Sequence, residues 1–340
     1  MFVARSFLGR PFFWIGIAIS AAALAFTVRG LHVADVAAAL RETDIVWLLP
    51  ALAAILLGLY PRVQRWQVLF YPRTGMSQGN LLGAMSVGYM LNNLLPLRVG
   101  ELGRAFLIGE VEKIDYAHAL STILVERILD ILVLFALLMA LLPIVDEPRW
   151  ATGPAVLFGL GTIGLTALLA AMGWSRQTVS AASKKLFKIT PDKIQAGFER
   201  WIDAALEGLA TLSHPRVLVK ALLWSVVGWA FSSVFLFCGL RALGIHLSYA
   251  APLLVMTAIN LSMVVPSSSG YVGVYHAIAI ETLTTVFAVD RESAAAFAIT
   301  SHAMFYVTPV ILGSGYLWNR RELWQEMLSG SLRIRELERP

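Results

Sequence analysis

The sequence predicts an all-α polytopic membrane protein with about six full spans and two re-entrant broken-helix hairpins, arranged as an inverted repeat. Three observations carry that expectation. Of 340 residues, 58% are hydrophobic and only 14% are charged, whereas soluble domains are about a quarter charged. Apolar stretches long enough to cross a bilayer recur along the whole chain. Two more apolar helices stop at a proline, Pro96 and Pro266, where the last carbonyls lose their intrahelical partners. In hydrocarbon such a break is tolerated only where the backbone is buried in protein or lines a wet cavity.

The elements follow in order. Residues 11–28 form the first span, expected to stay as an uncleaved anchor because no small-residue cleavage site precedes Arg29. A mixed loop with Asp35, Glu42 and Asp44 leads to a short span at 45–60, and Arg62, Arg65 and Arg73 fall in the loop after it. Residues 80–96 are the first broken segment, and 97–115 are amphipathic and too charged to cross facing lipid. A long helix over 116–143 and a small-residue span over 151–172 complete a first repeat half, 80–172. The basic linker 173–216 contains Ile194, Phe198, Trp201, Ile202 and Leu206 at helical spacing. It lies on the membrane surface or packs on the ends of its own spans. Then come a span at 217–243 and the second half, 249–318, with its broken segment at 249–266, before a tail at 319–340. The whole chain, 1–340, is one integral membrane domain.

Lysine and arginine concentrate in the N-terminus, in 62–73, in 184–200 and in the tail. By the positive-inside rule these are cytoplasmic, which places the protein in the cytoplasmic (inner) membrane with both termini inside. That assignment closes if the first hairpin dips in from the cytoplasm and the second from outside. Two full crossings per segment give the same parity, so the second segment is either re-entrant or spanning. Pro96 with Gly100 matches Pro266 with Gly270, and Asp115 with Ala119 matches Asp290 with Ala294, which suggests the repeat.

The net charge of +5 is distributed along loops, so no nucleic-acid partner is expected. One cysteine excludes an internal disulfide and a zinc framework, and no metal or cofactor is expected. A phosphate-binding GxxxxGK[ST] loop is absent, so transport would run downhill or be coupled to protons or the membrane potential, through Glu101, Glu126, His276 or His302.

Candidate site residues cluster at the breaks. Glu126, Arg127 and Asp130 lie within a transmembrane helix, where each charge costs about 2.5–3.5 kcal/mol and so must face the bundle interior and pair. Glu126 and Asp130 read as structural partners of arginine, while Arg98 and Arg104, with Glu101 and Arg127, are candidates for contact with an anionic headgroup. Ser267, Ser268 and Ser269 offer donors at the start of the next half-helix, either to an anion or as caps. His276 and His302 are core histidines or a proton relay. Asn93 and Asn260, with Asn92, tie down backbone groups freed by the breaks, and Pro96, Gly100, Pro266, Gly270 and Gly273 shape them.

The set Asn93-Leu-Leu-Pro96-x-Arg98-x-Gly100-Glu101-x-x-Arg104, then Glu126-Arg127-x-x-Asp130, then Pro266-Ser-Ser-x-Gly270-x-x-Gly273 with His276 and His302, resembles the flippase-like integral membrane family. That family includes the membrane domain of lysylphosphatidylglycerol synthases, the multiple peptide resistance factors. The resemblance spans roughly residues 10–320 and implies movement of an anionic, modified or glycosylated lipid between leaflets. Membrane lipids are then the expected partners, together with a homo-oligomeric copy or a separate lipid-modifying enzyme. The synthases carry a soluble aminoacyl-transferase domain after the membrane part; here the chain stops at Pro340, so that activity is not expected of it. Two alternatives stay open. A polyprenyl-phosphate-dependent glycosyltransferase would use the Glu42-x-Asp44 pair in an outer loop, and a small-solute transporter would share the inverted-repeat plan.

Overall fold

The computed structural model describes residues 11–29, 31–95, 98–145, 214–263 and 269–320, with isolated positions between 164 and 206 and at 322. Regular structure in them is entirely helical. The first group is α1 (Pro11–Val28), α2 (Val33–Arg41), α3 (Ile45–Leu57), α4 (Leu59–Leu69), α5 (Gln78–Leu94), α6 (Val99–Glu112) and α7 (Tyr116–Leu141). The second is α8 (Pro215–Ala242), α9 (Ala250–Ser262), a 3₁₀ turn at Ser269–Tyr271, α10 (Val274–Phe287) and α11 (Arg291–Trp318).

Local chemistry explains most helix starts. Asp44, Ser77, Asp115 and Asp290 are N-caps whose side chains accept from backbone N–H groups one turn ahead. Among the described residues, three helical runs are long and apolar enough to cross a membrane: Ile45–Leu69, Pro215–Ala242 and Arg291–Trp318. The pair formed by Ile17–Val28 and α2, bent by 85°, makes a fourth if counted as one span. Helix α7 matches them with 26 residues but carries Glu126, Arg127 and Asp130 near its middle. Nearly all of the span expected at 151–172 and of the linker 173–213, and the tail beyond 322, lie outside the described residues.

Two expectations are corrected. Residues 29–44 are not only a loop but contain α2, with Asp35 in its first turn. The second span does not end at Tyr60. Gly58 keeps helical dihedrals and α4 carries the helix on to Leu69, with Val63, Trp66 and Leu69 buried at helical spacing. Arg62 and Arg65 therefore belong to the membrane helix rather than to a loop.

Helices α5 and α6 pack side by side across the first break, and α9 and α10 do so across the second. Each hairpin is followed by a long helix, α7 or α11, and the packing is reciprocal. The first arm of the first hairpin, α5, lies along α11, while the first arm of the second, α9, lies against α7. Apolar cores fill the space around α8–α11 and around α4–α7. Outward-facing Leu49 and Leu56 on α3, Leu223 and Val226 on α8 and Ile311 on α11 remain exposed, as a lipid-facing surface requires. In the linker, Leu206 is buried and Ile202 packs beside it against Leu69, Val125, Leu129 and Ala221.

Candidate functional site

The first break is closed by contacts between its two arms. After α5 the backbone is extended at Leu95, and it re-enters helix through Arg98 in the left-handed region (φ 53°). Pro96 and Leu97 lie outside the described residues. The N–H of Gly100 donates to Asn92 Oδ1 at 2.8 Å. A Cβ on Gly100 would collide with the carbonyl of Gly88, so this glycine is what lets the arms approach.

The second break meets the first. Arg98 donates to the carbonyl of Met263, the C-cap of α9, and so supplies a cation to a helix end that the break leaves unpaired. Asn93 Nδ2 donates to Tyr306 O at 3.0 Å, tying the first break to α11. Gly270, at φ 66°, sits against the Tyr306 ring and the Asn93 carbonyl, where a Cβ would come within 2.5 Å of the ring. Its own carbonyl accepts from His302 Nε2 at 2.7 Å.

Ser267, Ser268 and Pro266 lie outside the described residues, and Ser269 falls in the 3₁₀ turn. The next half-helix starts only at Val274, and its N-cap is Gly273 (φ 89°), whose N–H faces His276 Nδ1 at 3.4 Å. A residue with no side chain caps this helix because a Cβ there would collide with the carbonyl of Ser20 on α1. His276 and His302 meet edge to face at 4.7 Å between ring centroids, and Tyr275, also against His302, donates to Ser301 Oγ at 3.0 Å. Asn260 Nδ2 donates back to Met256 O within its own helix.

Beside the meeting point lies a buried ion-pair network. Glu126 is fully buried and accepts from Arg104 at 3.1 and 2.7 Å, from Arg65 at 2.9 Å and from Arg127 at 2.7 Å. Asp130 takes a second bond from Arg65, with Arg127 at 3.4 Å. Arg65 also donates to Ser225 Oγ on α8 at 3.1 Å. The Arg104 guanidinium carbon lies over the Trp66 ring, 3.6 Å from its centroid, and Trp66 Nε1 donates to Thr122 Oγ1 at 3.0 Å. Three helices, α4, α6 and α7, are thus fastened by charge, and α8 joins them through the Ser225 hydroxyl. Arg104, expected at the substrate, has its fork taken bidentately by Glu126. Glu101 is held more loosely, 3.9 Å from Arg98 and 3.7 Å from Arg127.

A cavity of about 260 Å³ opens between the hairpins, α7, α8 and the α3–α4 junction. Arg62, Arg98, Arg104 and Arg127 line it, with Glu101 and Asp130, the three asparagines and apolar groups such as Leu134, Phe235 and Met256. With Arg65 and Glu126 behind the wall, five arginines face three carboxylates, a surplus of two positive charges. The sequence reading left out Arg62 and Arg65. Their signal was present: they lie three apart in a segment whose apolar residues Val63, Trp66 and Leu69 keep helical period. Among the described residues no group of side chains has metal-ligand geometry. The Glu42–Asp44 pair sits at the border of α2 and α3, where Asp44 caps α3 through Val46 N at 2.9 Å.

Fold and site together define a polytopic helical membrane protein in which two broken-helix hairpins close on a charged cavity. Residues 13–313 match the family described as the lysylphosphatidylglycerol synthase TM region, and the chain belongs to that family. No curated protein and no solved structure matches it.

Proposed function

We propose that this protein is a lipid translocase that moves an anionic, modified or glycosylated lipid between the leaflets of the cytoplasmic membrane. The observation that carries this reading is the cavity at the meeting of the two breaks, with its arginine surplus. Its volume, about 260 Å³, is just below the roughly 300–1,000 Å³ of small-ligand sites, so it suits a headgroup while the acyl chains stay in hydrocarbon. Inside, guanidinium groups offset the headgroup charge that the bilayer core would otherwise penalise. The family's name, which refers to a lipid-modifying synthase, supports a lipid-related role.

An inverted repeat fits the same observations. Arg98 and Gly273 are the N-caps of α6 and α10, Lys113 and Ala288 are their left-handed C-caps, and Asp115 and Asp290 are the N-caps of α7 and α11. Members of each pair stand the same distance apart in the sequence. Together with the reciprocal packing of α5 on α11 and α9 on α7, this supports two related halves entering from opposite sides, the arrangement that permits alternating access.

The test is reconstitution in vesicles with headgroup-labelled lipids, following leaflet exchange for wild type, Arg98→Ala and Glu126→Ala. Exchange of at least one anionic or glycosylated lipid is expected, reduced in Arg98→Ala because the two breaks lose their bridge. Rates equal to protein-free vesicles for every such lipid would sink the proposal.

A further inference from the structure

One wall of the cavity stands outside the ion-pair network. Arg65 is neutralised twice, by Glu126 and Asp130, whereas Arg62, one turn earlier on α4, has no carboxylate within ion-pair range among the described residues. Neutral groups hold it instead. Arg62 donates to Ser232 Oγ at 2.8 Å and to Tyr89 Oη at 3.4 Å, and its guanidinium carbon lies 5.5 Å from the Trp229 ring centroid. The Ser232 hydroxyl donates to the carbonyl of Gly228 at 3.1 Å, so its oxygen is oriented to accept from Arg62. Beside them, Trp229 Nε1 is a buried N–H with no acceptor among the described residues. Arg62, Tyr89, Trp229 and Ser232 all line the cavity.

An uncompensated guanidinium next to an orphan indole N–H is an expensive arrangement in a low-dielectric interior. Both defects are removed by one ligand, an anion with several oxygens that takes two parallel bonds from the guanidinium and one from the indole. We infer that Arg62 and Trp229, held by Ser232 and Tyr89, form a receptor for a phosphate oxyanion. The surplus of two positive charges around the cavity favours a phosphomonoester, at a charge of about −1.5 to −2, over a singly charged phosphodiester. The inference rests on the translocase reading for the source of that phosphate, a lipid headgroup. Free phosphate shares the chemistry, and the test separates the two.

The experiment measures binding by calorimetry with the full chain in detergent micelles, apart from transport. Its probes are short-chain phosphatidic acid, short-chain phosphatidylglycerol and inorganic phosphate. The monoester lipid is expected to bind more tightly than the diester. Arg62→Gln should weaken binding by about tenfold or more, with Arg62→Lys between it and wild type. Trp229→Phe should weaken binding by about fivefold in a protein that still folds, because an aromatic ring stays beside Arg62 and the N–H it deletes has no acceptor among the described residues. If Arg62→Gln does not fold, Trp229→Phe decides alone. Binding of inorganic phosphate as tight as that of the lipid keeps the receptor and assigns it to free phosphate. No binding of any probe by wild type, or equal binding by folded Arg62→Gln and Trp229→Phe, overturns the inference. Arg62-dependent binding without leaflet exchange would sink the translocase reading alone, and exchange with binding indifferent to Arg62 would sink the receptor alone.

Discussion

Replacing Glu126 by glutamine keeps the shape of the side chain, removes its charge and turns one acceptor oxygen into a donor. The carboxylate is fully buried and serves three guanidinium groups through four contacts between 2.7 and 3.1 Å. Two of those arginines, Arg65 and Arg104, have side chains only 4% and 3% exposed, so water cannot replace what is lost. Breaking a buried pair from one side costs about 3–5 kcal/mol, against at most about 1 kcal/mol for a surface pair. With three cations affected, the upper part of that range is expected for Glu126→Gln. Thermal unfolding in detergent, followed by far-ultraviolet circular dichroism, should show a melting temperature lowered by several degrees. Arg104→Gln made alone should also destabilise, but the double variant should lose less than the sum of the two by about 1–3 kcal/mol, since neither partner is then left orphaned. A loss in Glu126→Gln no larger than about 1 kcal/mol, with additive doubles, would refute the claim that this network fastens the first hairpin to the bundle.

Three further outcomes follow from single contacts. Gly100→Ala should cost about 1–3 kcal/mol and loosen the first hairpin, because the new methyl collides with the Gly88 carbonyl; an unchanged melting temperature would show that the arms are not in close contact. His302→Phe keeps a ring against Tyr275 but leaves the Gly270 carbonyl unpaired, for a loss of about 1–3 kcal/mol and faster amide exchange around residues 269–273. Uniform exchange rates across the second break would contradict it. Asp44→Ala removes the cap of α3 at a cost of about 1 kcal/mol and should leave lipid exchange intact; a folded variant that instead loses sugar transfer from a polyprenyl donor would replace the translocase by an enzyme.

Local physics was legible in the residue order. Composition alone placed the chain in a membrane and the apolar runs marked most of the helices; the caps at Asp115 and Asp290, which the structure shows, depend only on a side chain and the next turn. The pairing of Glu126 with arginine was foreseeable in kind, since an intramembrane carboxylate without a cation is too costly to keep. Its partners were not. Arg62 and Arg65 looked like loop charges because their local surroundings are polar, and only Glu126 and Asp130, far along the chain, make Arg65 tolerable inside a helix. The serines after Pro266 were candidates for an anion site or for caps, whereas the N-cap of α10 is Gly273, where α1 crosses too closely for any Cβ.

The two prolines were read from the sequence as breaks at membrane depth, and that much follows from a rule acting within one turn of helix. Where the broken ends go is a long-range matter. The bond from Arg98 to Met263 and the contact of Gly270 with Asn93 join residues that no periodicity links. Periodicity specifies which face of a helix is apolar; it carries no information on which distant charge will neutralise a buried one. The tertiary structure decides that, and with it which arginine is fully paired and which is left facing the cavity.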